Sequence, residues 1–214
     1  GRMIMRDPNP YKLLTPGPMT TTLSVREAMM IDRCTWDDDY KRMTEEIRAG
    51  LLDFAHAGDG YTVVLMQGSG TFGVESVLSS VPGAKDRVLV LVNGAYSERM
   101  VKILDRHGIA HDRLDFAWDE IPDAARVEAF LAEHPEVTVV SMVHNETTTG
   151  ILNDIEAVGR VVKAAGRTFV VDAMSSFGAV DIRVADIGID YLVSSANKCI
   201  QGVPGFSYII ARRE

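Results

Sequence analysis

Short apolar runs alternate with helix-length segments from about residue 60 onward, and no other feature of the sequence restricts the possible folds as strongly. The runs are nearly continuous rather than alternating, which is typical of strands covered on both faces of a sheet. The alternation predicts an α/β domain with a mainly parallel sheet, in three layers. The predicted strands are 61–66, 87–92, 138–143, 168–171 and about 190–194, and the predicted helices are about 71–80, 96–107, 123–134 and 154–165.

The last apolar run, 205–210, does not fit this alternation. Only a short turn separates it from the strand at about 190–194, whereas a parallel pair needs a crossover of about a dozen residues or more. We therefore expect this strand to be antiparallel to its neighbour or to pair elsewhere.

The first 60 residues are less regular and are treated as an N-terminal segment, 1–60, that precedes a domain of residues 61–214. The prolines of 15–18 (TPGP) restrain the residues before them and predict a rigid extended or turn conformation. Residues 24–30 and 38–55 have helical patterns.

Composition excludes several classes of protein. The net charge of −8 argues against a nucleic-acid surface, which needs clustered Lys and Arg. The two cysteines, Cys34 and Cys199, form neither a disulfide framework nor a metal-binding spacing, so we expect no metal and a reduced, cytoplasmic setting. No stretch approaches the roughly 20 apolar residues of a membrane span.

The first candidate site is the loop 67–71 (QGSGT), directly after a predicted strand and before a predicted helix. Free N–H groups at a helix start favour a phosphate, and the hydroxyls of Ser69 and Thr71 add donors beside Gly70. The alternative is a plain strand-to-helix turn in which Ser69 caps the helix.

Two further candidates follow predicted strands. Asp172 lies at the carboxyl end of a buried strand, where open α/β sheets bind their ligands. It suits a buried cation such as a protonated pyridine nitrogen, or it caps the next loop or binds a metal. Lys198 follows the next strand amid small and polar residues and is either a reactive amine or an ordinary surface lysine.

Together the three sites predict a pyridoxal-phosphate (PLP) enzyme. The loop anchors the phosphate, Asp172 keeps the ring nitrogen protonated, and Lys198 holds the aldehyde carbon. No other common cofactor requires all three.

The sequence also resembles the fold-type I, class V aminotransferases over essentially its whole length. The resemblance lies in 14–18 (LTPGP), 34–37 (CTWD), 67–70 (QGSG), 93–96 (NGAY), 144–150 (HNETTTG), 172–178 (DAMSSFG) and 194–205 (SSANKCIQGVPG). It implies a homodimer with active sites at the subunit interface.

The resemblance implies a role for each matching residue. Lys198 is the Schiff-base lysine and proton carrier, Asp172 pairs with the ring nitrogen, and residues 69–71 hold the phosphate. Tyr96 stacks on one face of the ring and Met174 packs on the other.

Thr148 is expected to bond the phenolic oxygen, and Pro16 and Gly17 to line the substrate entrance. Tyr96 could instead be a core aromatic and Thr148 a turn hydroxyl. His144 is interpreted as a structural hydrogen bonder and Cys199 as a packing residue.

Within the family, the motifs resemble enzymes that transfer the amino group of 2-aminoethylphosphonate to pyruvate, giving phosphonoacetaldehyde and alanine. Alanine–glyoxylate and serine–pyruvate transamination are the alternatives within the same chemistry. Relatives carry a C-terminal small domain with the arginine for the substrate carboxylate, whereas this sequence stops at Glu214. We therefore expect a fragment that binds PLP but transaminates poorly, and a non-catalytic module of the same fold is the rival hypothesis.

Overall fold

The computed structural model describes residues 9–214, and its centre is a seven-stranded sheet. In the described part the strands, in chain order, are β1 (Tyr61–Gln67), β2 (Val88–Val92), β3 (His111–Asp115), β4 (Val139–Val143), β5 (Asn145–Glu146), β6 (Ile151–Leu152), β7 (Thr168–Asp172), β8 (Tyr191–Ser195) and β9 (Phe206–Arg212). The sheet order is β1-β9-β8-β7-β4-β2-β3, and β5 and β6 form a separate hairpin.

All neighbouring strands of the large sheet are parallel except at β9, which is antiparallel to both β1 and β8. The expectation of an antiparallel last strand is confirmed, since the loop from β8 to β9 is too short for a parallel crossover.

Helices cover both faces of this sheet. They are α1 (Leu23–Ala28), α2 (Asp38–Phe54), α3 (Gly70–Ser80), α4 (Ala95–His107), α5 (Ala124–Glu133), α6 (Ile155–Ala164) and α7 (Val184–Ile187). Alternate residues of β2 point to opposite faces: Leu89 packs in a core with α5 and α6, and Val90 packs in a second core with α3 and α4. The predicted three-layer α/β architecture is confirmed.

Strand β3 and the hairpin of β5 and β6 were not predicted from the sequence. The residues of β3 (HDRLD) are mostly polar because this strand lies at the sheet edge, where charged side chains remain in water.

The N-terminal segment contains α1 and α2 close to their predicted positions. Helix α2 packs against β1, with Leu51 in the core and the Phe54 ring edge-on to Phe177 at 5.2 Å. Within residues 9–214, no helix combines the length and apolar character that a membrane span requires.

The sheet topology brings several strand ends to one edge. Strands β1, β4, β7 and β8 end there at Gln67, Val143, Asp172 and Ser195, and β9 begins there at Phe206. This edge is where ligands of open α/β sheets bind.

Candidate active site

A cavity of about 410 Å³ lies at this edge of the sheet. It brings together most of the residues predicted from the sequence. Lining it are the loop residues 69–71 with Tyr96, Asp172, Met174 and Lys198.

The loop after β1 forms both a helix cap and one wall of the cavity. Ser69 Oγ accepts a hydrogen bond from Phe72 N at 3.2 Å and caps α3, which begins at Gly70. The two interpretations of this loop are therefore compatible. The start of α3, with its dipole and the hydroxyls of Ser69 and Thr71, can attract an anion.

Asp172 is a buried carboxylate that lines the cavity. Its Oδ1 accepts a hydrogen bond from Met174 N at 3.0 Å. Burial raises the pKa of Asp172 to about 6, with a smaller increase from the charge of Glu146, against the lowering effects of Met174 N, Arg99 and Lys198. A cation inside the cavity would stabilise the ionised form of this group.

Lys198 lies in the loop from β8 to β9 and contacts the N-terminal segment. Its Nζ donates a hydrogen bond to the backbone carbonyl of Gly17 at 3.3 Å. A Cβ on residue 17 would lie 2.3 Å from Lys198 Cδ, so only glycine permits this approach. Gly17 therefore contacts the amine of Lys198, whereas Pro16 beside it is exposed, and neither residue is among those that line the cavity.

Arg99 is a cavity residue that was missed in the sequence. Its Nη1 donates a hydrogen bond to Thr71 Oγ1 at 3.1 Å, and its guanidinium carbon lies 4.9 Å from the centre of the Tyr96 ring. Arg99 follows Tyr96 by three positions in α4, and this spacing places side chains on one helix face. This spacing is the feature of the sequence from which Arg99 could have been predicted to lie beside Tyr96.

The structure corrects the assignment of Thr148. Its side chain is exposed in the turn between β5 and β6 and does not line the cavity. The preceding residue, Thr147, does line the cavity, and its Oγ1 lies 2.8 Å from Ser175 Oγ. The physical reason is that the chain turns away from the cavity after Thr147.

His144 and Cys199 have the structural roles expected of them. His144 is buried, its Nδ1 is 2.9 Å from Ser176 Oγ, and burial lowers its pKa to about 4. Cys199 is half-buried, and its Sγ donates to Ser175 O at 3.4 Å. Residues 9–214 contain no group of three or more His, Cys, Asp or Glu side chains that could hold a metal ion.

Comparison with known proteins identifies the family. The family model described as "Aminotransferase class-V" matches residues 34–214. The chain belongs to the class V aminotransferases. The resemblance seen in the motifs is confirmed.

Among curated class V relatives, the 2-aminoethylphosphonate–pyruvate transaminases of Salmonella paratyphi B and Salmonella typhimurium are each 52% identical over 205 residues. The match covers 95% of this chain and 56% of each relative, so the chain spans little more than half their length.

Solved structures of other aminotransferases have the same fold. Pyridoxamine–pyruvate aminotransferase from Mesorhizobium loti superposes with a TM-score of 0.88 at 28% identity, covering 98% of this chain and 54% of that one. Alanine–glyoxylate aminotransferase from Nostoc sp. gives a TM-score of 0.89 at 26% identity, covering 98% and 56%.

Proposed function

We propose that this class V chain binds PLP in the cavity and transfers the amino group of 2-aminoethylphosphonate to pyruvate. The observation that carries the proposal is one cavity that holds a buried carboxylate, Asp172, and an amine, Lys198, beside an anion-attracting loop. The names of the 52% identical relatives support the choice of substrates.

The chemistry of the cavity residues fits PLP. Ser69, Thr71 and Arg99 offer donors and positive charge to the phosphate. Burial raises the pKa of Asp172, and a protonated ring nitrogen beside this carboxylate would stabilise its ionised form. Tyr96 and Met174 both line the cavity, and in this proposal Tyr96 covers one face of the ring and Met174 the other.

In this proposal each residue has a defined task. When bound, PLP supplies an electron sink for the bond that breaks at the substrate carbon bearing the amine. Asp172 keeps a proton on the ring nitrogen. Lys198 Nζ would hold the aldehyde carbon of PLP before substrate binds. As a free amine, it would accept the proton from the substrate carbon that bears the amine and would return that proton on the cofactor side.

The remaining assignments complete the proposal. Gly17 and Pro16 form the substrate entrance, Gly17 by its contact with Lys198. Thr147, in place of Thr148, bonds the phenolic oxygen, because Thr147 lines the cavity and Thr148 does not.

The amino donor distinguishes the proposed reaction from its alternatives. The PLP-loaded chain is mixed with 2-aminoethylphosphonate, alanine or serine, and conversion of the aldehyde form to the amine form is followed by absorption. Faster conversion by 2-aminoethylphosphonate supports the proposal, and preference for alanine or serine supports the alternative transaminases. No conversion by any donor, with PLP linked to Lys198, is followed by the same assay on a chain extended to the length of its relatives. Conversion by the extended chain would support the proposal, and no conversion there would support a non-catalytic module.

We also propose a homodimer in which the N-terminal segment, 1–60, contributes to the contact and residues 61–214 bind PLP. Apolar side chains of this segment are exposed, with Leu14 at 93% and Trp36 at 82%. Trp36→Glu should lower the sedimentation coefficient, whereas Trp118→Glu, at a 51% exposed tryptophan outside the segment, should not. A monomeric unmodified chain at micromolar concentration would contradict the dimer.

A cytoplasmic location is proposed from the two free cysteines, Cys34 and Cys199. Thiol labelling of the protein in fractionated cells tests it. Oxidised thiols, or recovery outside the cytoplasmic fraction, would refute it.

A further inference from the structure

Glu146, in the hairpin strand β5, is a fully buried carboxylate that the proposed chemistry does not use. A buried charge is costly unless hydrogen bonds compensate it. The groups that hydrogen-bond to this carboxylate therefore indicate which part of the fold it stabilises.

The carboxylate of Glu146 binds the first turn of α4. Its Oε1 accepts hydrogen bonds from Ser97 N at 2.8 Å and from Ser97 Oγ at 2.6 Å, and its Oε2 accepts from Tyr96 N at 3.2 Å. A carboxylate at this position satisfies the unpaired N–H groups and complements the positive end of the helix dipole.

Glu146 takes the place of a local capping side chain. The residue before α4 is Gly94, which has no side chain to offer. A Cβ on Gly94 would lie 2.5 Å from both Cδ and Oε2 of Glu146, so glycine is required for the carboxylate to reach the helix. The cap of α4 thus comes from a residue about 50 positions away in sequence.

These contacts join two walls of the cavity. On one wall, Asn145 and Thr147 flank Glu146 and both line the cavity. On the other wall, Tyr96 and Arg99 line the cavity from the first turns of α4. Glu146 touches the backbone of the helix that carries both side chains.

We propose that Glu146 is a positioning residue that fixes Tyr96 and Arg99 relative to Thr147, so that ring and phosphate contacts form in one geometry. The inference rests on the proposed function, because it assigns these side chains to PLP. Glu146 itself contacts neither cofactor nor substrate in this account.

Glu146 also acts on Asp172 through its charge. After the larger effect of burial, the negative charge of Glu146 contributes to the raised pKa of Asp172. A neutral residue at position 146 should therefore shift the titration of Asp172 to lower pH. Entry of water through a loosened wall would shift it in the same direction, so the titration is interpreted together with the local hydrogen exchange.

The test compares Glu146→Gln with Asp123→Asn. Asp123 is a matched control because its Oδ1 accepts from Ala125 N at 2.9 Å and caps α5, away from the cavity. Asparagine caps about as well as aspartate, so this control keeps its helix. Glutamine at 146 presents a donor to Tyr96 N and cannot replace the carboxylate.

Four measurements are made on the whole chain. Amide hydrogen exchange of residues 95–99 and the carboxyl ¹³C titration of Asp172 are recorded without PLP. PLP affinity and the visible circular dichroism of bound PLP are then recorded.

We expect Glu146→Gln to speed exchange at the start of α4, to lower the titration midpoint of Asp172 and to weaken the dichroism. PLP affinity should fall roughly tenfold, as when one hydrogen bond to a charged group is lost. Asp123→Asn should match the unmodified chain in the exchange of residues 95–99, the Asp172 titration and PLP binding.

Unchanged exchange at residues 95–99 in Glu146→Gln would overturn the proposal, and so would faster exchange through all helices. Local change with unaltered PLP affinity and dichroism would also overturn it. If the unmodified chain binds no PLP, the proposed function fails. In that case the hydrogen exchange of residues 95–99 and the titration of Asp172 still test whether Glu146 holds the start of α4 in place.

Discussion

The side-chain amine of Lys198 donates a hydrogen bond to the backbone carbonyl of Gly17 at 3.3 Å, although 181 positions separate the two residues. The contact places the N-terminal segment against the amine expected to hold the cofactor. It also makes residue 17 intolerant of a side chain, because a Cβ there would lie 2.6 Å from the backbone oxygen of Asn197.

Gly17→Ala should therefore displace Lys198 or the N-terminal segment. We expect a loss of about 1–3 kcal/mol in the free energy of unfolding, as in other overpacked sites, and slower linkage of PLP to Lys198. Gly50→Ala is the control, since nothing lies within 4 Å of a Cβ at this exposed position of α2. Gly50→Ala should raise the free energy of unfolding by about 0.5–1 kcal/mol, because alanine has the higher helix propensity. Urea unfolding of both variants checks this, and equal behaviour would contradict the crowding at Gly17.

Asp172 and His144 should have opposite effects on stability between pH 4 and pH 6.5. The pKa of Asp172 rises from 3.8 to about 6 in the folded chain, so its buried charge costs stability above pH 6. The pKa of His144 falls from 6.5 to about 4, so stability is lost as pH drops from 6.5 towards 4.

Asp172→Asn should accordingly be more stable than the unmodified chain at pH 7, by an amount on the order of 3 kcal/mol. The difference should shrink towards zero near pH 4. Urea unfolding at several pH values measures it, and a difference independent of pH would contradict the assigned burial effect. The same variant should bind PLP more weakly, because the partner of the ring nitrogen is gone.

Arg99 should recognise the phosphate rather than the ring of the cofactor. Arg99→Gln is expected to weaken PLP binding roughly 10- to 100-fold and pyridoxal binding much less, since charged hydrogen bonds are lost only with the phosphate. Arg126→Gln is a matched control, because Arg126 lies over the Phe116 ring at 4.3 Å outside the cavity. Titrations with both ligands test this, and an equal loss for PLP and pyridoxal would assign Arg99 to the ring.

Thr147 and Thr148 give a comparison of adjacent hydroxyls. Thr147→Val should shift the absorption of bound PLP and weaken binding several-fold, since it removes a hydroxyl from the cavity wall. Thr148→Val should leave both unchanged, because that side chain is exposed. A shift caused by Thr148→Val alone would restore the assignment made from the sequence.

Much of the fold was predictable because its strands are buried on both faces and therefore apolar throughout, as in β2 and β4. The positions of Asp172 and Lys198 were also predictable, since Asp172 ends such a strand and Lys198 follows the next one. Strand β3 was missed because its polar residues lie at an edge. Which of Thr147 and Thr148 lines the cavity depends on the residue at which the chain turns away from it. Two adjacent threonines in the sequence do not indicate where this turn begins.

The contacts made by Arg99 and Glu146 could not be predicted from the sequence. Arg99 meets Thr71 across 28 positions, and Glu146 meets Ser97 across 49. Both pairs depend on how α3, α4 and the hairpin come together in space. Helical spacing from Tyr96 gave a hint for Arg99, whereas nothing local in the sequence indicates that Glu146 caps α4.

The most direct test of the central claim is to add PLP to the purified chain, record its near-visible absorption, reduce it with borohydride and map the modified residue by mass spectrometry. We predict a yellow protein whose label is on Lys198, and loss of that label in Lys198→Ala. A label on another lysine, or no absorption change and no label, would contradict the assignment of this cavity as a PLP site.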